Sequence, residues 1–151
     1  MKASAGILLF KRELTGLHFF LVHPGGPYWK NKDEGAWSIP KGELLAGEDP
    51  LQRAKTEFEE ETGQAIDGAF TPLSPIKQKG GKMVFAWALE GDIDTTSLSS
   101  NTFELEWPPK SGRMMQVPEV DRWEWFAYEE AVRKINPAQV PFLTEAAGLL
   151  K

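Results

Sequence analysis

The apolar positions of this chain recur in different rhythms along its length, and each rhythm predicts a different element. Residues 4–12, SAGILLFKR, are a β-branched and aliphatic run and predict a strand. Residues 17–24, LHFFLVHP, predict a second strand, with Gly16 in the hairpin turn between them. In residues 82–92, KMVFAWALEGD, small and apolar positions alternate around Val84, Ala86 and Ala88, which predicts a mostly buried strand. The preceding AFTPLSPIKQK reads as another strand, joined to it at KGGK. DRWEWFAY, residues 121–128, alternates aromatic residues and predicts the last strand. Three segments follow the helical period instead. Asp49 and Pro50 open one, with Gln52 completing a capping-box pattern, and Gly63 closes it. Leu51, Ala54, Phe58 and Thr62 fall on one side of that helix, the side that should meet a sheet. YEEAVRKI predicts a second helix, its acids in the first turn and its bases in the last. AQVPFLTEAAGLLK predicts a third. The order implies an α+β fold, an α/β/α sandwich around a mixed sheet, in one domain spanning residues 1–151. Residues 24–37 and 93–120 read as long loops, the second with room for one short strand.

The polar side of the first helix changes the picture. Glu57, Glu60 and Glu61 stand at i, i+3 and i+4, so their like charges share one face. Glu59 points away from them. A solvated acidic face is one reading. A site for a hard divalent cation is the other, because Mg²⁺ and Mn²⁺ prefer carboxylate oxygens.

Spacing upstream favours the cation. Gly42 is followed by five residues and Glu48, then by seven residues and the run Thr56-Glu57-Phe58-Glu59-Glu60-Glu61-Thr62-Gly63. Residues 42–64 closely resemble the Nudix box of the Nudix (MutT-like) hydrolases: Gly, five residues, Glu, seven residues, Arg-Glu, an aliphatic, any residue, Glu-Glu, any residue, Gly, an aliphatic. The WSIPKGE entry to the box is also typical of that family. HPGGPYWKNKDEGAWSIPKGE and SNTFELEWPPKSGR further resemble a bacterial subgroup of predicted NTP pyrophosphohydrolases. The resemblance implies that Glu57, Glu60 and Glu61 bind Mg²⁺ or Mn²⁺, with the Gly42 carbonyl adding a ligand. It implies that Glu48 braces the turn into the helix and that Lys41 steadies the loop or meets phosphate. Glu57 is the general base candidate inside the box.

Two positions depart from the pattern. Thr56 fills the Arg slot and Gln64 the closing aliphatic slot. Arg53, four residues before Glu57, lies within the acidic stripe and can replace part of the lost charge as an i,i+4 partner.

The loops supply further candidates. Glu104, Glu106 and Glu119 lie in or beside the late loop, within reach of a metal site, and Glu119 is favoured as a second catalytic acid. Each is otherwise an ordinary surface acid. Tyr28, Trp29, Trp37 and Trp107 can stack on a base or serve as a lid on the core edge. Lys30, Lys32, Lys110 and Arg113 can meet phosphate or stay solvated. Neither histidine has a partner at metal spacing, so His18 and His23 are assigned no chemistry.

Composition then removes several classes. A net charge of -5 does not suit a grip on duplex nucleic acid, while a bound cation still permits phosphate substrates. The cysteine count of 0 excludes disulfides and thiolate chemistry and accords with a reducing compartment. The N-terminal apolar run, about seven residues long, is short for a signal segment. A soluble, cytoplasmic enzyme is expected, with no membrane partner. By resemblance its substrates are nucleoside diphosphates linked to a group X, nucleoside triphosphates first, then dinucleoside polyphosphates or diphosphoinositols. A regulatory nucleotide-binding module with weakened catalysis is the alternative, and a homodimer is compatible with either.

Overall fold

The computed structural model describes residues 2–149. Strands β1 (Ala3–Glu13) and β2 (Gly16–Pro24) form the expected hairpin. Then follow β3 (Lys41–Glu43), α1 (Pro50–Thr62), β4 (Thr71–Pro72), β5 (Ile76–Lys77) and β6 (Met83–Glu90). A separate hairpin, β7 (Thr102–Glu106) and β8 (Met114–Pro118), precedes β9 (Val120–Ala127), α2 (Tyr128–Lys134) and α3 (Val140–Leu149).

The main sheet runs β4-β6-β1-β2-β9, with β3 also on β1 and β5 on β6. It is mixed: β1 pairs parallel with β6 and antiparallel with β2. Central β1 is covered on both faces, which explains its unbroken apolar run. Ile7 and Leu9 turn towards α1, while Leu8 and Phe10 turn towards α2 and α3. On the α1 side, Phe58 and Ala54 pack on Phe20, Val22 and Leu89. Burying Phe58 completely stabilises this layer by about 2 kcal/mol. Asp49 caps α1 by accepting from the Gln52 N–H at 3.1 Å, and Gly63 ends it at φ 78, a left-handed conformation that glycine adopts without strain.

Two segments differ from the sequence expectation. AFTPLSPIKQK forms only two short pairings, since Pro72 and Pro75 offer no N–H to a ladder. Residues 93–120, where a long loop with one short strand was expected, contain a five-pair hairpin of two strands. Trp37 corrects a third expectation. Of its two readings, the stacking platform falls away and the core-edge lid is exceeded: it is buried against Phe126, with its Nε1 donating to Asp33 at 2.8 Å.

Candidate metal centre and cleft

Helix α1 carries Glu57 and Glu61 on successive turns, and β3 brings Gly42 against them. A Cβ built on Gly42 would lie 1.4 Å from Glu57 Oε1, so any larger residue there would displace the Glu57 side chain. The loop between β3 and α1 is tied down by Glu48. Its Oε1 accepts from the Leu45 N–H at 2.7 Å, and its carboxylate receives Arg53 Nε at 3.0 and 3.2 Å and Nη2 at 2.5 Å. Arg53 therefore pairs with Glu48, not with Glu57 as the helical wheel suggested. The guanidinium still lies close enough to Glu57 to favour its charged form. Its hydrogen bonds also hold the Glu48 carboxyl below the usual range.

The C-terminal end of α1 is stitched to a distant stretch of chain. The Glu60 carbonyl accepts from Asn101 N–H at 2.8 Å, the Thr62 carbonyl from Ser99 N–H at 3.0 Å, and the Glu61 carbonyl from Trp123 Nε1 at 2.7 Å. Carbonyls that the helix leaves open are thereby satisfied. The same stretch holds Glu119, whose N–H donates to the Asn101 carbonyl at 2.8 Å. Glu57, Glu61 and Glu119 each offer a carboxylate oxygen within 4.8 Å of the others. Glu60 lies beside this trio and shares a hydrogen bond with Glu57.

Such crowding is costly without a cation. Burial pushes the Glu57 carboxyl up to about 7, helped by the hydrogen bond to Glu60 and the charges of Glu60 and Glu119. Burial also raises Glu61 well above the usual range, with Glu57 and Glu119 adding repulsion and Lys41 opposing it. Glu119 is raised by burial and then by Glu60. Lys41 moves the other way: burial and nearby Lys82 lower it, against the pull of Glu61 and Glu57. Glu57 Oε2 is buried with no hydrogen-bond partner. An orphaned oxygen among raised carboxylates fits a hard divalent ion, because oxygen donors are what such ions take.

A cleft of about 380 Å³ opens beside the trio. Glu61, Glu119 and Lys41 line it with Trp29 and Phe103. Phe103, on β7, was missed in the sequence, where its segment reads as loop; its alternation with Leu105 was the available signal. The other candidates lie elsewhere. Trp107 meets Tyr28 edge-on at 4.9 Å and lines a neighbouring hollow with Lys30. Lys32 Nζ sits 5.3 Å from the Trp29 ring, outside the cleft lining. Arg113 stands at the β7–β8 turn, where its N–H donates to Ser111 Oγ. Glu106 caps that turn, accepting from the Lys110 and Gly112 N–H groups, and Glu104 accepts from Gln116. A larger hollow of about 780 Å³ lies between the β1–β2 turn and helices α2 and α3, away from the trio.

The NUDIX domain model matches residues 1–146. No curated protein sequence matches the chain significantly. Among solved structures, a Caenorhabditis elegans Ap4A hydrolase binary complex superposes with a TM-score of 0.65 at 21% identity, covering 99% of this chain and 98% of that one. The NUDIX domain of Shewanella oneidensis NrtR complexed with ADP ribose gives 0.66 at 12% identity, covering 99% and 88%. A mutT/nudix family protein from Listeria innocua gives 0.64 at 18%, covering 98% and 92%. At these identities the likeness is one of fold.

Proposed function

The chain belongs to the Nudix family, and from that premise we propose that it is a divalent-metal-dependent hydrolase of diphosphate bonds in nucleoside diphosphate-X substrates, nucleoside triphosphates first among them. The observation that carries the reading is the trio Glu57, Glu61 and Glu119, which offer carboxylate oxygens within 4.8 Å of one another, Glu57 also having a buried oxygen without a hydrogen-bond partner. These side chains, with the Gly42 carbonyl, would hold Mg²⁺ or Mn²⁺. Once bound, such an ion neutralises phosphate charge and makes water a better nucleophile.

The remaining groups position the substrate. Lys41 lines the cleft beside the trio and meets phosphate oxygens. Trp29 and Phe103 line the same cleft and offer faces for a flat base. Trp107, Lys32 and Arg113 are left to outlying contacts, since none lines this cleft. Glu60, joined to Glu57, either completes the ligand set or takes the proton from water. Glu48 and Arg53 keep the box loop against α1. The whole chain acts as one domain. A cytoplasmic setting accords with the absence of cysteine, and no helix of the described residues is long and apolar enough to cross a membrane.

A second reading has one observation behind it: Thr56 occupies the slot where the family carries Arg. In that reading the protein binds nucleotide as a regulatory module. The test is a release assay over nucleoside triphosphates, ADP-ribose, dinucleoside polyphosphates and diphosphoinositols, with Mg²⁺ or Mn²⁺, against Glu60→Gln. Turnover of at least one substrate, lost in the variant and on chelation, supports the hydrolase. Wild type equal to Glu60→Gln on every substrate, with nucleotide still bound, supports the module and sinks the enzyme.

A further inference from the structure

His23, next to last in β2, is wholly buried, and none of the chemistry above uses it. Its Nδ1 lies 2.7 Å from Asp121 Oδ1 and its Nε2 lies 2.6 Å from the Lys32 carbonyl. A carbonyl only accepts, so Nε2 donates to the Lys32 carbonyl, and Nδ1 is left to pair with the Asp121 carboxyl. The ring also meets Trp37 edge-on at 5.3 Å, which limits its movement.

The two partners sit on separate segments, each of which carries a residue of the cleft lining a few positions away: Glu119 before Asp121 and Trp29 before Lys32. Pairing between β2 and β9 slips at this point: His23 faces Arg122, but Pro24 faces Val120. Asp121 is the extra residue of a bulge, a device that re-aims neighbouring side chains. Glu119 stands two residues before it, held by the Gly25 N–H on its carbonyl at 3.0 Å. Lys32 is tied to the other segment, where its N–H donates to the Trp29 carbonyl at 3.0 Å. A single buried ring thus joins the bulge behind Glu119 to the loop that carries Trp29. Arg122 reaches the same partners more weakly from the exposed side, at 3.5 Å from the Lys32 carbonyl and 4.0 Å from Asp121.

We propose that His23 is a positioning residue: by bridging Asp121 and the Lys32 carbonyl, it sets Glu119 and Trp29 at their working separation. It touches neither ion nor substrate. The proposal rests on reading Glu119 as part of the metal centre.

The test uses the double variant His23→Phe with Asp121→Leu, which removes the pair without stranding one charge. Thermal unfolding, Mn²⁺ affinity by titration calorimetry and steady-state kinetics are compared with wild type. The expected result is near-native melting, a Mn²⁺ dissociation constant raised about tenfold, at the lower end for groups that orient a ligand, and a higher KM. Near-native melting with unchanged affinity and KM overturns the proposal. If the double variant does not fold, Asp121→Leu alone, at a side chain 33% exposed, is judged by the same two outcomes. A wild type that binds Mn²⁺ but cleaves nothing sinks the hydrolase reading, while the affinity comparison still decides the role of His23. A wild type without Mn²⁺ affinity sinks both.

Discussion

Two hollows of the molecule differ in what lines them, and the smaller of the two holds the crowded acids. The larger, about 780 Å³, is bounded by the β1–β2 turn and the helical layer. Its acids Glu13 and Glu129 are exposed, and Glu13 lies 3.4 Å from Lys11. The smaller, about 380 Å³, contains Glu61 at 6% exposure beside Glu119 and a half-buried lysine, Lys41, whose affinity for protons is lowered chiefly by desolvation. Volume reports only where packing stops. Charge held in an unfavourable state reports where a ligand is needed, because that cost is offset only when something binds.

Substitutions separate the two hollows. The largest effect is expected from Glu57→Gln, which keeps shape and removes charge: turnover should drop more than about a hundredfold, beyond the range of groups that merely orient a ligand. Steady-state kinetics with Mg²⁺ checks this, and residual activity near wild type would dismiss Glu57 from the chemistry. Gly42→Ala comes next. Its new Cβ must displace Glu57 or move β3, so a loss of about 1–3 kcal/mol in denaturant unfolding is expected, together with weaker Mn²⁺ binding.

Phe103→Ala should spare kcat and raise KM about fivefold or more for a base-bearing substrate, the low end of base–aromatic stacking. Equal kinetics would leave Phe103 without a part in binding.

Acidity gives a smaller effect. Glu57 has a raised carboxyl, about 7 folded against 4.5 unfolded, so the folded state binds more protons between these values. Its metal-free contribution to stability is complete below about 4.5, falls as pH rises towards 7, and is absent above. Metal-free wild type should therefore gain stability relative to Glu57→Gln as pH drops from 7.5 to 5.5. A parallel pair of unfolding curves would reject the shift. Glu129→Gln, in the large hollow, anchors the other end of the comparison: no change in turnover, and stability within about 0.5 kcal/mol.

What could be read from the sequence was local. Helix α1, its cap, its apolar face and its acids follow from spacing within a few turns, and the strands of the central sheet follow from apolar runs. The partner of Arg53 was not legible, because Glu48 lies before the helix and off its wheel. The third member of the trio was suspected, but its placement depends on a bulge at Asp121 and on the Asn101 contacts, neither of which leaves a periodic trace. Trp37 sits among glycine and charge in the sequence, which leaves open a base platform or a lid on the core edge. A carboxylate for its indole N–H, from Asp33, lets it bury instead. The β7–β8 hairpin was obscured by Pro108, Pro109 and the polar residues of its turn.

The stitching of α1 to residues 99–123 has a temporal consequence. The box is complete in the chain once Gly63 is made, yet Asn101, Glu119 and Trp123 must be synthesised before its last carbonyls are satisfied and its third acid arrives. Contacts at such separation form late, after loop closure has been overcome. A growing chain therefore carries the motif through much of its synthesis before Glu119 can join Glu57 and Glu61.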